Sequence, residues 1–149
     1  MPLLKPIAGH TGCAGIKNYL EKGGRALGIQ VMNFAWQEER VFENVVAAPV
    51  GFDWAKSMDA TRHACGNDTP YRGKPARTFK HFVLSPDPQD GLLAEQVAEL
   101  ARAWARKHFA DFEVAIVLHD DNENRIPHAH IVVNNTNLVT ERRLQTPDP

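Results

Sequence analysis

The chain has 149 residues, of which 43% are hydrophobic and 23% charged, the proportions of one ordinary globular domain. Its formal net charge of -1 gives no overall attraction for nucleic acid, so an anionic partner must be held by local cations or a metal ion. Two cysteines far apart exclude a disulfide framework and a zinc ribbon. With no membrane-length apolar run and no secretory signal, we expect a cytoplasmic protein that does not insert into membranes.

The first half of the chain predicts short elements separated by turns. In chain order these are an edge strand at 3–8, a helix at 14–22, short extended pieces at 29–34 and 41–46 within a mostly irregular stretch, a helix at 52–64 and a loop at 67–76. Pro6 favours an edge position for the first strand, because proline has no backbone N–H to donate. Gly23 and Gly24 end the first helix, and Trp54 and Met58 share one face of the second.

The second half is more regular and predicts the scaffold of the fold. Its elements are a strand at 78–85, a helix at 92–109, a strand at 112–119, a polar turn at 120–125 and a strand at 126–135. Apolar residues including Leu93, Val97 and Leu100 form a stripe along the helix, and the last two strands make an antiparallel hairpin. We therefore expect one α+β domain over residues 1–149: an antiparallel sheet of about five strands with helices on one face and histidines on the other.

Three histidines are predicted to meet on one face of this hairpin. Side chains alternate across a strand, so His128 and His130 point the same way. If the turn pairs His119 with His128, Val117 lies opposite His130 and all three histidines share one face, where cross-strand neighbours have Cβ atoms roughly 5 Å apart. Three such ligands hold a divalent ion at about 2.0–2.2 Å and leave coordination positions open, which is typical of a catalytic site. The alternative is a set of unrelated polar residues on a solvated strand face.

Two further residues bear on the chemistry. Tyr19, beside Lys17 and Lys22, is a candidate nucleophile, because cations and a metal-bound phosphate allow a phenol to attack a phosphodiester. The alternative is a tyrosine with a packed ring and a merely solvated hydroxyl, while Tyr71 suits base stacking or backbone contact. His81 shares a strand face with Ser85, and we favour a packed or hydrogen-bonded role for it over that of a fourth metal ligand.

Three segments resemble the motifs of conjugative relaxases of the mobilisation-protein type, members of the His-hydrophobic-His endonuclease superfamily. The first, Gly15-Ile-Lys-Asn-Tyr-Leu20, is similar to the motif that carries the catalytic tyrosine. The second, His81-Phe-Val-Leu-Ser85 followed by Pro86-Asp-Pro88, is similar to the motif whose serine positions DNA. The third is similar to the metal motif and consists of His119-Asp-Asp121, Pro127-His-Ala-His130 and Asn134. The order and spacing of these segments agree with the family across nearly the whole chain.

The resemblance implies a metal-dependent, site-specific single-strand DNA endonuclease and strand transferase that nicks an origin of transfer through a covalent 5′-phosphotyrosine and so starts conjugative mobilisation of a plasmid. Tyr19 would attack the phosphate, and His119, His128 and His130 would hold Mg²⁺ or Mn²⁺, with Zn²⁺ possible in a purified sample. Asp121 would orient a histidine N–H or take the tyrosine proton, and the alternative is an aspartate that is merely exposed in the turn. The candidate DNA contacts are Ser85, Asn134, Arg72, Lys74 and Arg77, although the basic side chains are equally consistent with a solvated loop.

Other expectations follow from the same resemblance. The partners would be single-stranded DNA at the origin of transfer, accessory mobilisation proteins and a type IV secretion system. Because the sequence stops soon after the third motif, we expect a relaxase catalytic domain truncated at its C-terminus. Two alternatives stay open: a related tyrosine-using initiator of rolling-circle replication or transposase, and a non-covalent metallohydrolase or metal-binding module in which Tyr19 is inert.

Overall fold

The computed structural model describes residues 3–9, 12–34, 45–48, 51–70, 73–122 and 124–144. Its strands and α-helices are β1 (Leu3–Gly9), α1 (Ala14–Glu21), β2 (Gly28–Met32), β3 (Val45–Ala47), α2 (Trp54–Ala64), β4 (Phe79–Ser85), α3 (Ala94–His108), β5 (Phe112–His119) and β6 (His128–Asn137). The strands form one antiparallel sheet in the order β1-β4-β6-β5-β2-β3. The predicted α+β class is confirmed, with six strands rather than about five among the described residues.

The hairpin of β5 and β6 occupies the middle of the sheet and has the predicted register. His119 pairs with His128, and Val117 pairs with His130. The turn between these strands is held by Asn122, whose amide nitrogen donates to the Ile126 carbonyl at 3.0 Å and whose amide oxygen accepts from the Ile126 N–H at 2.7 Å. The long turn therefore leaves His119 directly across from His128.

Helices cover both faces of the sheet, which differs from our expectation that they lie on one. On one face α3 packs against alternate residues of the central strands, among them Ile116 and Ile131. On the other face α1 and α2 pack against Val117 and Val132, which lie on the same side as the histidines. The histidines therefore lie at one end of the sheet face that α1 and α2 partly bury.

The sheet-facing side of α3 also differs from the apolar stripe that periodicity suggests. Its fully buried residues are Val97, Ala98, Ala101 and Ala105. Leu93 and Leu100 were predicted to face the core but are 69% and 44% exposed. The small alanine side chains let the helix lie close to the sheet, so the buried face is narrower and rotated away from the larger leucines.

A tight turn brings the end of α1 to the end of β5. Gly23 and Gly24 have φ angles of 66° and 73°, in the region that glycine enters without a Cβ clash. The chain reverses there, and the Leu27 N–H donates to the Leu118 carbonyl at 2.8 Å, just before β2 pairs with β5. The C-terminal turn of α1, which carries Tyr19, is therefore next to His119.

Candidate active site

Three imidazoles form a cluster at the end of the β5–β6 hairpin. The ring centroids of His119 and His130 are 4.5 Å apart, those of His128 and His130 are 5.1 Å apart, and those of His119 and His128 are 5.5 Å apart. One ring nitrogen from each residue lies within 4.8 Å of the other two. His119 is fully buried and His128 is half-buried, so the cluster is open to solvent on one side.

Each of two histidines uses one ring nitrogen to contact a backbone carbonyl. His119 Nε2 donates to the Leu20 carbonyl at 2.6 Å, and His128 Nδ1 donates to the Ile126 carbonyl at 3.1 Å. A neutral imidazole that donates from one nitrogen carries a lone pair on the other. The carbonyls therefore select the tautomers in which His119 Nδ1 and His128 Nε2 are available as ligands.

His81 completes this pattern for the third histidine. It lies on β4, on the same face as the cluster, and its Nε2 is 2.9 Å from Nδ1 of His130. If the His130 nitrogen donates in this hydrogen bond, its Nε2 presents a lone pair to the cluster. His81 thus has the hydrogen-bonded role that we favoured over a fourth ligand.

The electrostatics keep the buried rings neutral. Burial, followed by the neighbouring histidines His119, His81 and His128, lowers the pKa of His130 to about 3. Burial and then His119 lower the pKa of His81 to about 4, and burial is also the main cause of the lowered pKa of His119. Only a neutral imidazole can ligate a metal, so the lowered pKa values keep His119 and His130 in the ligating form at neutral pH.

An unsatisfied buried nitrogen is independent evidence that the three histidines fit a divalent metal ion. His119 Nδ1 is buried and has no hydrogen-bond partner, a costly state for a polar atom unless a ligand completes it. Coordination at about 2.1 Å needs the three nitrogens about 3–4 Å apart, which small ring rotations achieve. Three protein ligands leave further coordination positions open, as a catalytic ion requires.

Tyr19 lies on the last turn of α1, one residue before the Leu20 carbonyl that accepts from His119. Its side chain is 59% exposed and is therefore accessible to a large substrate. The Arg25 guanidinium lies 5.1 Å from the centroid of the Tyr19 ring. The structure thus brings the candidate nucleophile and the histidine cluster to the same end of the molecule.

Asp121 is not hydrogen-bonded to the histidine cluster. Its Oδ2 accepts from Arg25 Nε at 2.8 Å, and the histidines have other partners, as described above. The orienting role that we expected for Asp121 therefore falls to two carbonyls and His81. The Arg25 guanidinium also lowers the pKa of Asp121, which makes this carboxylate a weaker base for the tyrosine proton.

Asn134, predicted as a DNA contact, is fully buried, so this prediction is wrong. Its amide nitrogen donates to the Met58 carbonyl and to Glu113 Oε1, each at 3.0 Å. Its amide oxygen accepts from Arg62 Nη1 at 3.1 Å and from the Asn135 N–H at 3.0 Å. These four bonds use the whole hydrogen-bonding capacity of the side chain and join β6 to α2.

The other proposed DNA contacts lie in two places. Ser85 ends β4 and is half-buried on the face shared with His81, near the end of β6 that carries His128. Lys74 and Arg77 are exposed, and Arg77 lies at the opposite end of the sheet, where its carbonyl accepts from Asn135. Seven residues of β6 separate that point from His128, about 23 Å at 3.3 Å per residue. Arg72, Tyr71 and the second predicted extended piece up to residue 44 lie outside the described residues.

A family model for the nuclease domain of MobA/VirD2-like relaxases matches residues 37–148, which are 112 of the 149 residues. The chain belongs to this relaxase family. The matched segment of the relaxase includes the three clustered histidines, His81 and Ser85, and it begins after Tyr19. The resemblance inferred from the motifs is therefore confirmed at the level of the family, whereas the assignment of the nucleophile rests on residues outside the match.

The relaxase fold is also similar to a solved structure, the MobM relaxase domain bound to Mn and to origin-of-transfer DNA of plasmid pMV158. The TM-score is 0.51 at 13% sequence identity, and the similarity covers 89% of this chain and 69% of that one. At this identity the likeness shows the fold alone. Comparison with curated proteins finds no match. Among the described residues, no helix combines the length and the apolar character needed to cross a bilayer.

Sequence reasoning missed the groups that hold the cluster in place. The Leu20 and Ile126 carbonyls are backbone atoms, so no residue type marks them. Arg25 could have been noticed only as a cation shortly after the two glycines that end α1, and Asn122 as an amide in the hairpin turn. Neither signal is specific without the tertiary fold.

Proposed function

We propose that this relaxase domain nicks one DNA strand at an origin of transfer in a divalent-metal-dependent reaction and transfers the strand to Tyr19. The observation that carries the proposal is the convergence of three imidazole ring nitrogens beside the helix end that bears an exposed tyrosine. The MobM relaxase domain, which has a similar fold, is bound to Mn and origin-of-transfer DNA, and this supports the same substrate class here.

His119, His128 and His130 would hold the ion, and Mg²⁺ or Mn²⁺ is the expected cofactor. A bound divalent ion supplies positive charge that stabilises the negative charge developing on the phosphate oxygens. Nitrogen ligands also favour Zn²⁺, so a purified sample can contain zinc that is not the working metal. His81 and the two carbonyls keep the ligand nitrogens aimed at one point, so little reorganisation accompanies binding.

In the proposed step, Tyr19 Oη attacks the scissile phosphorus. The bond from Oη to phosphorus forms, and the bond from phosphorus to the 3′ oxygen of the preceding nucleotide breaks. The phenolic proton leaves to solvent, and the 3′ oxygen gains a proton. The products are a 5′-phosphotyrosyl ester and a free 3′-hydroxyl. Because the ester retains the energy of the phosphodiester, attack by a 3′-hydroxyl rejoins the strand without ATP.

DNA would follow the sheet away from the nick. Ser85 lies close enough to the cluster to contact the strand near the scissile phosphate. Arg77, about 23 Å away by the strand rise, would contact a phosphate several nucleotides from it. Lys74 and Arg72, which are close to Arg77 in the sequence, are further candidate phosphate contacts. Accessory mobilisation proteins, a type IV secretion system and a cytoplasmic location in bacteria complete the proposed setting.

The test is incubation with labelled single-stranded DNA that spans the origin of transfer of the element encoding this chain. Reactions contain Mn²⁺ or EDTA and are resolved on a denaturing gel. Wild type should form a metal-dependent protein–DNA adduct that is lost in Tyr19→Phe. Tyr71→Phe, which changes the other tyrosine of the chain, is the matched control and should keep the adduct.

The alternatives give different results in the same experiment. Cleavage without an adduct would indicate a metal-activated water and a non-covalent hydrolase. An adduct that survives in Tyr19→Phe and disappears in Tyr71→Phe would move the nucleophile to Tyr71. Adduct formation on a replication origin in place of an origin of transfer would identify an initiator of rolling-circle replication.

A further inference from the structure

We propose that Arg25 and Asp121 form a clamp that positions Tyr19 for attack, with Arg25 as a positioning residue. The inference rests on the proposed function, since it takes Tyr19 as the attacking group. It assigns a role to an arginine outside the relaxase motifs, and it gives Asp121 a mechanical task in place of proton transfer.

Arg25 makes three contacts that join α1 to the metal-binding hairpin. Its Nη1 donates to the Tyr19 carbonyl at 3.1 Å, its Nε donates to Asp121 Oδ2 at 2.8 Å, and its guanidinium carbon lies 5.1 Å from the Tyr19 ring centroid. Asp121 follows the ligand His119 by two residues. A single side chain thus spans from the nucleophile to the strand end that carries a metal ligand.

The position of Arg25 suits the end of a helix. The last four carbonyls of α1 lack partners within the helix, and a cation near them is favoured by the helix dipole. Arg25 donates a hydrogen bond to the Tyr19 carbonyl, while His119 donates one to the adjacent Leu20 carbonyl. The two bonds are made to successive residues, so together they restrict both sliding and rotation of the helix end relative to the cluster.

This restriction matters most for the position of the Tyr19 side chain. Its side chain is 59% exposed, so much of its surface contacts solvent instead of protein. Attack on phosphorus requires the oxygen to lie about 3–3.5 Å from the phosphorus and in line with the leaving oxygen, and a displacement of about 1 Å costs roughly 100-fold in rate. A cation over the ring and a bond to the same residue's carbonyl hold both parts of Tyr19.

The experiment compares Arg25→Gln, Asp121→Asn and the double variant in single-turnover nicking at saturating DNA. We expect Arg25→Gln to lower the rate constant about 10- to 100-fold. The dissociation constants for the DNA and for Mn²⁺ should stay within about threefold of wild type. Because both residues act in one clamp, the double variant should be no slower than the slower single variant.

Two variants serve as controls. Arg102 is an arginine on α3 with a similar exposed fraction, 22% against 25% for Arg25, and it also pairs with an acidic side chain. Arg102→Gln should nick at the wild-type rate. Arg25→Lys keeps the charge but has a compact ammonium group in place of the planar fork, so it should recover little of the lost rate.

A second readout is independent of DNA and metal. In a Tyr71→Phe background, Tyr19 is the only tyrosine of the chain, and 3-fluorotyrosine gives a single ¹⁹F resonance for it. Arg25→Gln should shift this resonance, because the guanidinium leaves the ring, whereas Arg102→Gln should not. If the wild type fails to nick, the proposed function fails, and the resonance alone still tests the contact.

Several results would overturn the clamp. The first is a wild-type nicking rate in Arg25→Gln, and the second is an unshifted fluorine resonance in that variant. The third is a loss that appears entirely as weaker DNA binding, which would make Arg25 a DNA contact. The fourth is a double variant whose loss is the product of the two single losses, which would mean that the residues act separately.

Discussion

His81→Ala tests whether the hydrogen bond between two histidines tunes the metal site. The substitution removes the partner of His130 Nδ1, which lies 2.9 Å from His81 Nε2, and leaves that buried nitrogen unsatisfied. Partners that orient a metal ligand typically contribute 10- to 100-fold in affinity, so the dissociation constant should rise by that factor, or about 1.4–2.7 kcal/mol. The ligand set itself is unchanged, so binding is weakened without being abolished.

The assay is calorimetric titration of the metal-free protein with Mn²⁺ and, separately, with Zn²⁺. His63→Ala is the matched control, because His63 is exposed on α2 and should leave the affinity unchanged. Wild-type affinity in His81→Ala would refute the orienting role. A loss beyond about 1,000-fold would also refute it, because it would mean that His81 is itself a ligand.

Three further predictions concern stability. The pKa values of His81 and His130 are lowered to about 4 and 3, so these residues bind protons near pH 6.5 in the unfolded chain but not in the folded one. The free energy of unfolding of the metal-free protein should therefore fall by about 2 kcal/mol for each of the two histidines between pH 7 and pH 5, which urea titrations can measure. Asn134→Ala leaves buried hydrogen-bond partners unsatisfied and should lower the free energy of unfolding, measured in urea, by about 2–4 kcal/mol. The DNA affinity of the folded protein should be unchanged, and weakened affinity at unchanged stability would mean that Asn134 contacts DNA after all. Gly23→Ala, at φ 66°, should lower the free energy of unfolding by about 1 kcal/mol and with it the melting temperature. Gly15→Ala, with open space around its Cβ in α1, should raise the melting temperature, and the reverse order would refute the role of the turn.

The hairpin and its histidine face were predictable because they depend on local periodicity. Alternation along β6 places His128 and His130 on one side whatever the rest of the fold does. The register with β5 was a hypothesis that depended on the turn placing His119 opposite His128, and the structure confirms this pairing. The identity of the family followed from the same residues, together with their spacing from Ser85 and Tyr19.

The buried faces were less predictable where polar or small residues replace large apolar ones. The sheet-facing side of α3 is built from alanines, which carry little hydrophobic signal, so the periodicity pointed to Leu93 and Leu100 instead. Asn134 continues the histidine face of β6, and its sequence position alone gave no reason to expect that α2 covers it with Arg62 and Met58.

The sequence by itself determined the central strands, the face shared by His128 and His130 and the relaxase family, because these depend on residue types at short, regular spacings. Only the tertiary structure decided how the cluster is oriented and what touches Tyr19. The Leu20 carbonyl, His81 and the Arg25–Asp121 pair act across 99, 49 and 96 residues of chain. Such contacts depend on how distant elements pack, and local patterns carry no information about them.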